Sequence, residues 1–87
     1  MADPNGSAPR VTVYTRAGCP LCRTAETVVE RICAELGQRW AAVDVDADPR
    51  LRAEYGDQVP VIMIDGREHG FWRVEEDRFR AALARSA

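Results

Sequence analysis

Apolar residues along this chain alternate between the period of a strand and the period of a helix, and the changes of period delimit its elements. Arg10-Val11-Thr12-Val13-Tyr14-Thr15 is rich in β-branched and aromatic residues and predicts a buried strand, followed by a turn at Ala17-Gly18. From about Leu21 to Leu36, Ala25, Val28, Val29, Ile32 and Leu36 recur at helical spacing, and Glu26, Glu30, Arg31 and Glu35 fall mostly on the other side. Gly37 ends this helix. Trp40 to Asp46 predicts a second strand, and the strand–helix–strand order implies a parallel pair joined by a right-handed crossover. Asp48-Pro49, a cap followed by a first-turn proline, opens a short helix to about Tyr55 that Gly56-Asp57-Gln58 breaks. Val59 to Ile64 predicts a third strand, and Asp65-Gly66 a hairpin turn into an antiparallel fourth strand from about Glu68 to Trp72. Glu75, Glu76 and Asp77 then open a last helix with acids at its positive end, a solvated and dipole-matched turn, and Phe79, Ala82 and Leu83 form its apolar face.

The order β-α-β-α-β-β-α describes one α/β domain over residues 10–87, and 87 residues leave no room for a second core. Residues 1–9 (Met1 to Pro9) read as a flexible tail. A net charge of −2 and a pI near 5.3 give no basic footprint, so nucleic acid is not an expected partner. No apolar run approaches the ~18–20 residues of a membrane span, and the first residues lack the basic and apolar regions of a secretion signal. Three cysteines, an odd number, without an export signal point to a reducing cytoplasm rather than to a structural disulfide framework.

Composition changes the picture most at Cys19-Pro20-Leu21-Cys22. Two thiols three positions apart, where a strand gives way to a helix, are placed to make and break a disulfide. Pro20 falls at the first helical position, where its missing N–H costs nothing, so Cys19 faces the free N–H groups of the helix start. The positive end of the helix favours thiolate over thiol, and Arg16 adds a nearby cation, so Cys19 is expected to ionise below the ~8.5 of a free cysteine. Cys22, one turn on and shielded by its own helix, is expected to resolve what Cys19 attacks.

Half of a zinc site has the same Cys-x-x-Cys spacing, so the other candidate ligands decide. Cys33 lies eleven positions beyond Cys22, roughly 16 Å along the helix, and cannot share a metal or a disulfide with it. Cys33 reads as a small apolar residue beside Val29, Ile32 and Leu36, and His69 as a surface loop or strand residue. No metal site is expected.

With Cys-Pro-x-Cys after the first strand and Val59-Pro60 before the third, the chain from about Arg10 to Leu83 resembles a glutaredoxin-like member of the thioredoxin superfamily, closest to a compact bacterial branch. Small redoxins that reduce ribonucleotide reductase are a near alternative. The resemblance implies a thioredoxin-like fold, a four-stranded mixed sheet with helices on both faces. It further implies that the Val59–Pro60 bond is cis and lies against the dithiol, where Val59 offers its backbone to an extended substrate. Pro20 and Leu21, which flank the nucleophile, are then expected to bind substrate together with Arg16, Val59 and Pro60, and Arg16 either faces a glutathione carboxylate or acidifies Cys19. Glutathione-binding members carry a Gly-Gly-x-Asp turn before the last helix, whereas this chain has Gly70-Phe71-Trp72-Arg73-Val74-Glu75, so the match does not extend to that turn.

The expected activity is reduction of protein or small-molecule disulfides by Cys19 and Cys22, in a monomer without a tightly bound cofactor. Glutathione or a flavin-dependent reductase would return the electrons. Two other classes are open: an iron–sulfur or zinc carrier using both cysteines across a dimer, and a binding module in which the dithiol is idle. Strand alternation sends Phe71 and Trp72 to opposite faces, so at most one can point into the core and the other is expected to be partly exposed. For either taken alone, a sheet face covered by the last helix is the favoured place, and an exposed aromatic near the active end is the docking-surface alternative. Tyr14 and Trp40 are assigned to packing.

Overall fold

A computed structural model describes residues 9–85. The tail expected over residues 1–9 lies outside that range except for Pro9, as do residues 86 and 87. The elements follow the expected order: β1 (Val11–Thr15), α1 (Pro20–Leu36), β2 (Trp40–Asp44), α2 (Pro49–Tyr55), β3 (Val61–Ile64), β4 (Arg67–Phe71) and α3 (Glu76–Arg85). The four strands form one mixed sheet in the order β2-β1-β3-β4. β1 runs parallel to β2, pairing Val11 with Trp40, and antiparallel to β3, pairing Tyr14 with Val61.

Alternation along β1 sorts the side chains between two layers. Val11, Val13 and Thr15 are buried on one face. There Val11 and Val13 join Ile62 and Ile64 of β3, Val29, Ile32 and Cys33 of α1, and Phe79 and Leu83 of α3 in a single core. Each aliphatic side chain so buried contributes about 1.5–3 kcal/mol relative to exposure, which makes this α1–sheet–α3 layer the main source of stability. Tyr14 points the other way and stacks on Tyr55 of α2 at 4.8 Å between ring centroids. Helices therefore cover both faces, as the thioredoxin-like arrangement requires.

Caps and turns follow their residue chemistry. Gly37 adopts a left-handed conformation (φ 66°), and the Gln38 N–H reaches back to the Cys33 carbonyl at 2.8 Å, closing α1. Asp48 caps α2 by accepting the Arg50 N–H at 2.9 Å. Asp65 and Gly66 both take positive φ, the backbone of a tight hairpin turn whose twist suits the strands.

Four expectations need correction. β2 stops at Asp44 rather than Asp46, because the Asp44 carboxylate accepts the Asp46 N–H at 2.9 Å and turns Val45–Ala47 into a short 3-10 helix. β3 begins at Val61 rather than Val59, since proline has no N–H to give to a ladder. Leu36 is 38% exposed, because α1 ends there and the buried stripe stops at Cys33. Neither Phe71 nor Trp72 enters the core: a bulge shifts the β3–β4 register between Ile62 and Met63, and Trp72 leaves the strand at φ 73°, so simple alternation fails.

Candidate active site

The turn from β1 into α1 carries the dithiol. Gly18 takes φ 73°, a conformation that favours glycine, and swings the chain into an extended Cys19 at the N-cap of α1. The Cys22 N–H donates to Cys19 Sγ at 3.1 Å, and the Cys19 carbonyl accepts from the N–H groups of Cys22 and Arg23 at 3.1 and 3.3 Å. Pro20 occupies the first helical position. Cys19 and Cys22 are joined as a disulfide, with Cα atoms 5.2 Å apart. Cys19 is partly exposed while Cys22 is 1% exposed, so one sulfur faces solvent and the other backs onto the protein. Leu21 between them projects outward, 53% exposed. A shallow groove of about 260 Å³ beside the pair is lined by residues including Arg16, Gly18, Arg23 and Glu26.

The sheet brings a second segment to this end. Because Tyr14 pairs with Val61, the two residues before Val61 continue alongside the end of β1, next to the turn that holds Cys19. These are Val59, partly exposed, and Pro60, buried, and the bond between them is cis. The Pro60 carbonyl accepts the Trp72 N–H at 2.7 Å, which ties the segment to the chain leaving β4.

Arg16 does not stand free. Its Nε donates to Asp46 Oδ2 and its Nη2 lies against Asp46 Oδ1, both at 3.2 Å, while Nη1 donates to the Gly56 carbonyl at 3.4 Å.

A dithiol at a helix start, with a cis-proline segment at the same end of a β2-β1-β3-β4 sheet, has counterparts among known proteins. Residues 10–84 match the model of the Glutaredoxin-like domain (DUF836). The chain belongs to this glutaredoxin-like family. A protein of Mycobacterium tuberculosis, "Uncharacterized protein Rv0508", is 49% identical over 86 residues, covering 92% of this chain and 88% of that one. The X-ray structure of protein XcR50 from X. campestris superposes with a TM-score of 0.72 at 32% identity, covering 88% of this chain and 99% of that one. Fasciola hepatica thioredoxin superposes with a TM-score of 0.61 at 25% identity, covering 88% of this chain and 79% of that one.

In the glutaredoxin-like chain, the structure gathers Cys19, Pro20, Leu21, Cys22 and Arg16 on the β1–α1 turn, and sheet pairing brings Val59 and Pro60 to the same end. Phe71 (43% exposed) and Trp72 (55% exposed) also lie at this end, with their rings edge to face at 5.1 Å. Cys33 is buried in the core, and burial raises its pKa, partly offset by the positive charge of Arg10. His69 is on β4, as expected of a strand residue, but it is half-buried rather than at the surface. At the bulge its ring turns toward Phe79, 5.8 Å away, and Nε2 is buried without a hydrogen-bond partner among the described residues. Burial lowers its pKa, and Arg78 lowers it further. The acidic start of α3 is not only a solvated turn, since Glu76 pairs with Arg31 of α1 at 2.8 Å. Sequence reasoning missed Asp46 and Gly56 as partners of Arg16. The glycine that interrupts α2 and the aspartate two positions after Asp44 were visible, but nothing in their spacing pointed to Arg16.

Proposed function

We propose that this chain is a dithiol–disulfide oxidoreductase that reduces protein or small-molecule disulfides through Cys19 and Cys22. One observation carries the reading: the partly exposed Cys19 Sγ sits at the N-cap of a 17-residue helix, receives a backbone N–H, and has the buried Cys22 within bonding reach. The N–H bond and the positive helix end both favour a thiolate in the reduced protein. The Cys19 thiolate attacks one sulfur of a substrate disulfide. A Cys19–substrate bond forms, the substrate's own S–S bond breaks, and its other sulfur leaves as a thiolate that takes a proton from water. Cys22, having lost its proton to water, then attacks Cys19 Sγ, so that the Cys19–Cys22 bond forms and the second substrate sulfur leaves. Two electrons pass from the dithiol to the substrate.

An extended substrate lies beside Val59, whose backbone pairs with it by strand addition, and the exposed Leu21, Phe71 and Trp72 surround the approach. Glutathione or a flavin-dependent reductase resets the dithiol, with no tightly held cofactor, in the reducing cytoplasm and as a monomer. The test is redox titration with intact-mass and peptide mapping, together with a Cys22→Ser protein. The expected results are a reversible loss of two hydrogens confined to Cys19 and Cys22, and a mixed disulfide trapped on Cys19 of the variant. Resistance to oxidation, or failure to trap any adduct, overturns the reading.

A further inference from the structure

Arg16 is three residues before Cys19 and carries a charge, so its obvious use is to stabilise the thiolate. Its bonds point elsewhere. Two of its nitrogens engage both carboxylate oxygens of Asp46, in the 3-10 turn after β2, and a third reaches the Gly56 carbonyl at the end of α2. The fork geometry of a guanidinium suits this two-pronged grip, and the Asp46 carboxylate offsets the charge that would otherwise act on Cys19. Asp46 is itself held, because its N–H donates to the Asp44 carboxylate. Gly56 is held as well: its N–H donates to the Arg52 carbonyl at 2.9 Å, and a Cβ there would lie 2.5 Å from that same oxygen.

Gly56 precedes Val59 by three residues, and what lies between is short and tied. The Gln58 N–H donates to the Tyr55 carbonyl at 2.8 Å, and the Tyr55 ring stacks on Tyr14 of β1. One side chain thus links the turn that bears Cys19 to the segment that leads into Val59-Pro60. Resting on the oxidoreductase reading above, we infer that Arg16 is a positioning residue: a clamp that sets the Val59–Pro60 backbone at its distance from Cys19, not the charge that acidifies the thiol.

Clamp and charge differ in sign across three variants, Arg16→Gln, Arg16→Lys and Asp46→Asn. The readouts are KM and kcat for insulin, a polypeptide disulfide, and the pH midpoint of Cys19 alkylation by iodoacetamide in the reduced protein. As a clamp, all three variants raise KM for insulin by roughly 10-fold, the worth of one or two hydrogen bonds, and leave the alkylation midpoint in place. As a charge, Arg16→Gln raises the midpoint, Asp46→Asn lowers it by freeing the guanidinium, and Arg16→Lys behaves as wild type; that pattern overturns the clamp. An unchanged KM in all three overturns it too. If wild-type protein reduces neither insulin nor a small-molecule disulfide, the functional reading fails by itself; whenever insulin is not reduced, hydrogen exchange decides the clamp. The Gln58 amide is expected to exchange roughly 10-fold faster in Arg16→Gln and Asp46→Asn than in wild type, the cost of an opened hydrogen-bonded segment, and unchanged exchange overturns the clamp.

Discussion

Cys19 and Cys33 bracket the same helix, and their surroundings give the same functional group opposite chemistry. At the N-cap, Cys19 is partly exposed, receives the Cys22 N–H, and faces the positive end of α1. Cys33, four turns on, is enclosed by the β1, β3 and α3 side chains of the core, and burial holds its thiol in the protonated form. The difference lies in where a helix leaves its N–H groups unpaired and where the sheet covers it. On the proposed reading one end of α1 favours a thiolate, while its interior keeps a thiol neutral.

The largest test of that contrast is removal of each sulfur. Cys19→Ser is expected to cut disulfide turnover by at least ~10³-fold, as loss of a nucleophile does, while Cys33→Ser leaves the turnover of folded protein unchanged. Equal losses in both variants would break the comparison. Next comes stability. Ile32→Ala, beside Cys33, is expected to cost about 2–5 kcal/mol in urea unfolding, whereas Leu21→Ala at the exposed end costs less than ~0.5 kcal/mol. The smallest effect is on pH. The folded pKa of Cys33 is raised above its unfolded value, so its contribution to stability is complete below the unfolded value and is lost as pH rises through the folded one. Unfolding of the oxidised protein, in which Cys19 and Cys22 do not titrate, is expected to show this alkaline loss, and Cys33→Ala to remove that part of the slope.

The elements whose sequence signal is local were legible. Asp48-Pro49 and Cys19-Pro20 marked real helix starts, and Gly37 marked a real helix end, because caps act on backbone groups within four residues. The places that were not legible depend on partners distant in sequence or on departures from regular backbone. Val45-Asp46 continues an alternating strand pattern, yet the Asp44 side chain takes over the backbone there and frees Asp46 to meet Arg16, 30 positions away. His69 sits at a bulge that no composition signals, and Trp72 holds a left-handed conformation more typical of glycine. The candidate site was therefore legible in its thiols and its proline, and not in the bonds that hold them in register.

The two tryptophans stand at opposite ends of the sheet: Trp40 opens β2 against Val11, packed on the core, while Trp72 follows β4 with its backbone N–H on the Pro60 carbonyl and its side chain exposed beside Phe71. Nature has thereby installed two fluorophores with separate duties. In a Trp40→Phe protein, indole emission comes only from the end that carries the dithiol, so a change in its colour or intensity on adding a disulfide substrate tests the proposed docking there, and no change counts against it. In a Trp72→Phe protein, the remaining light comes from the far end and follows unfolding.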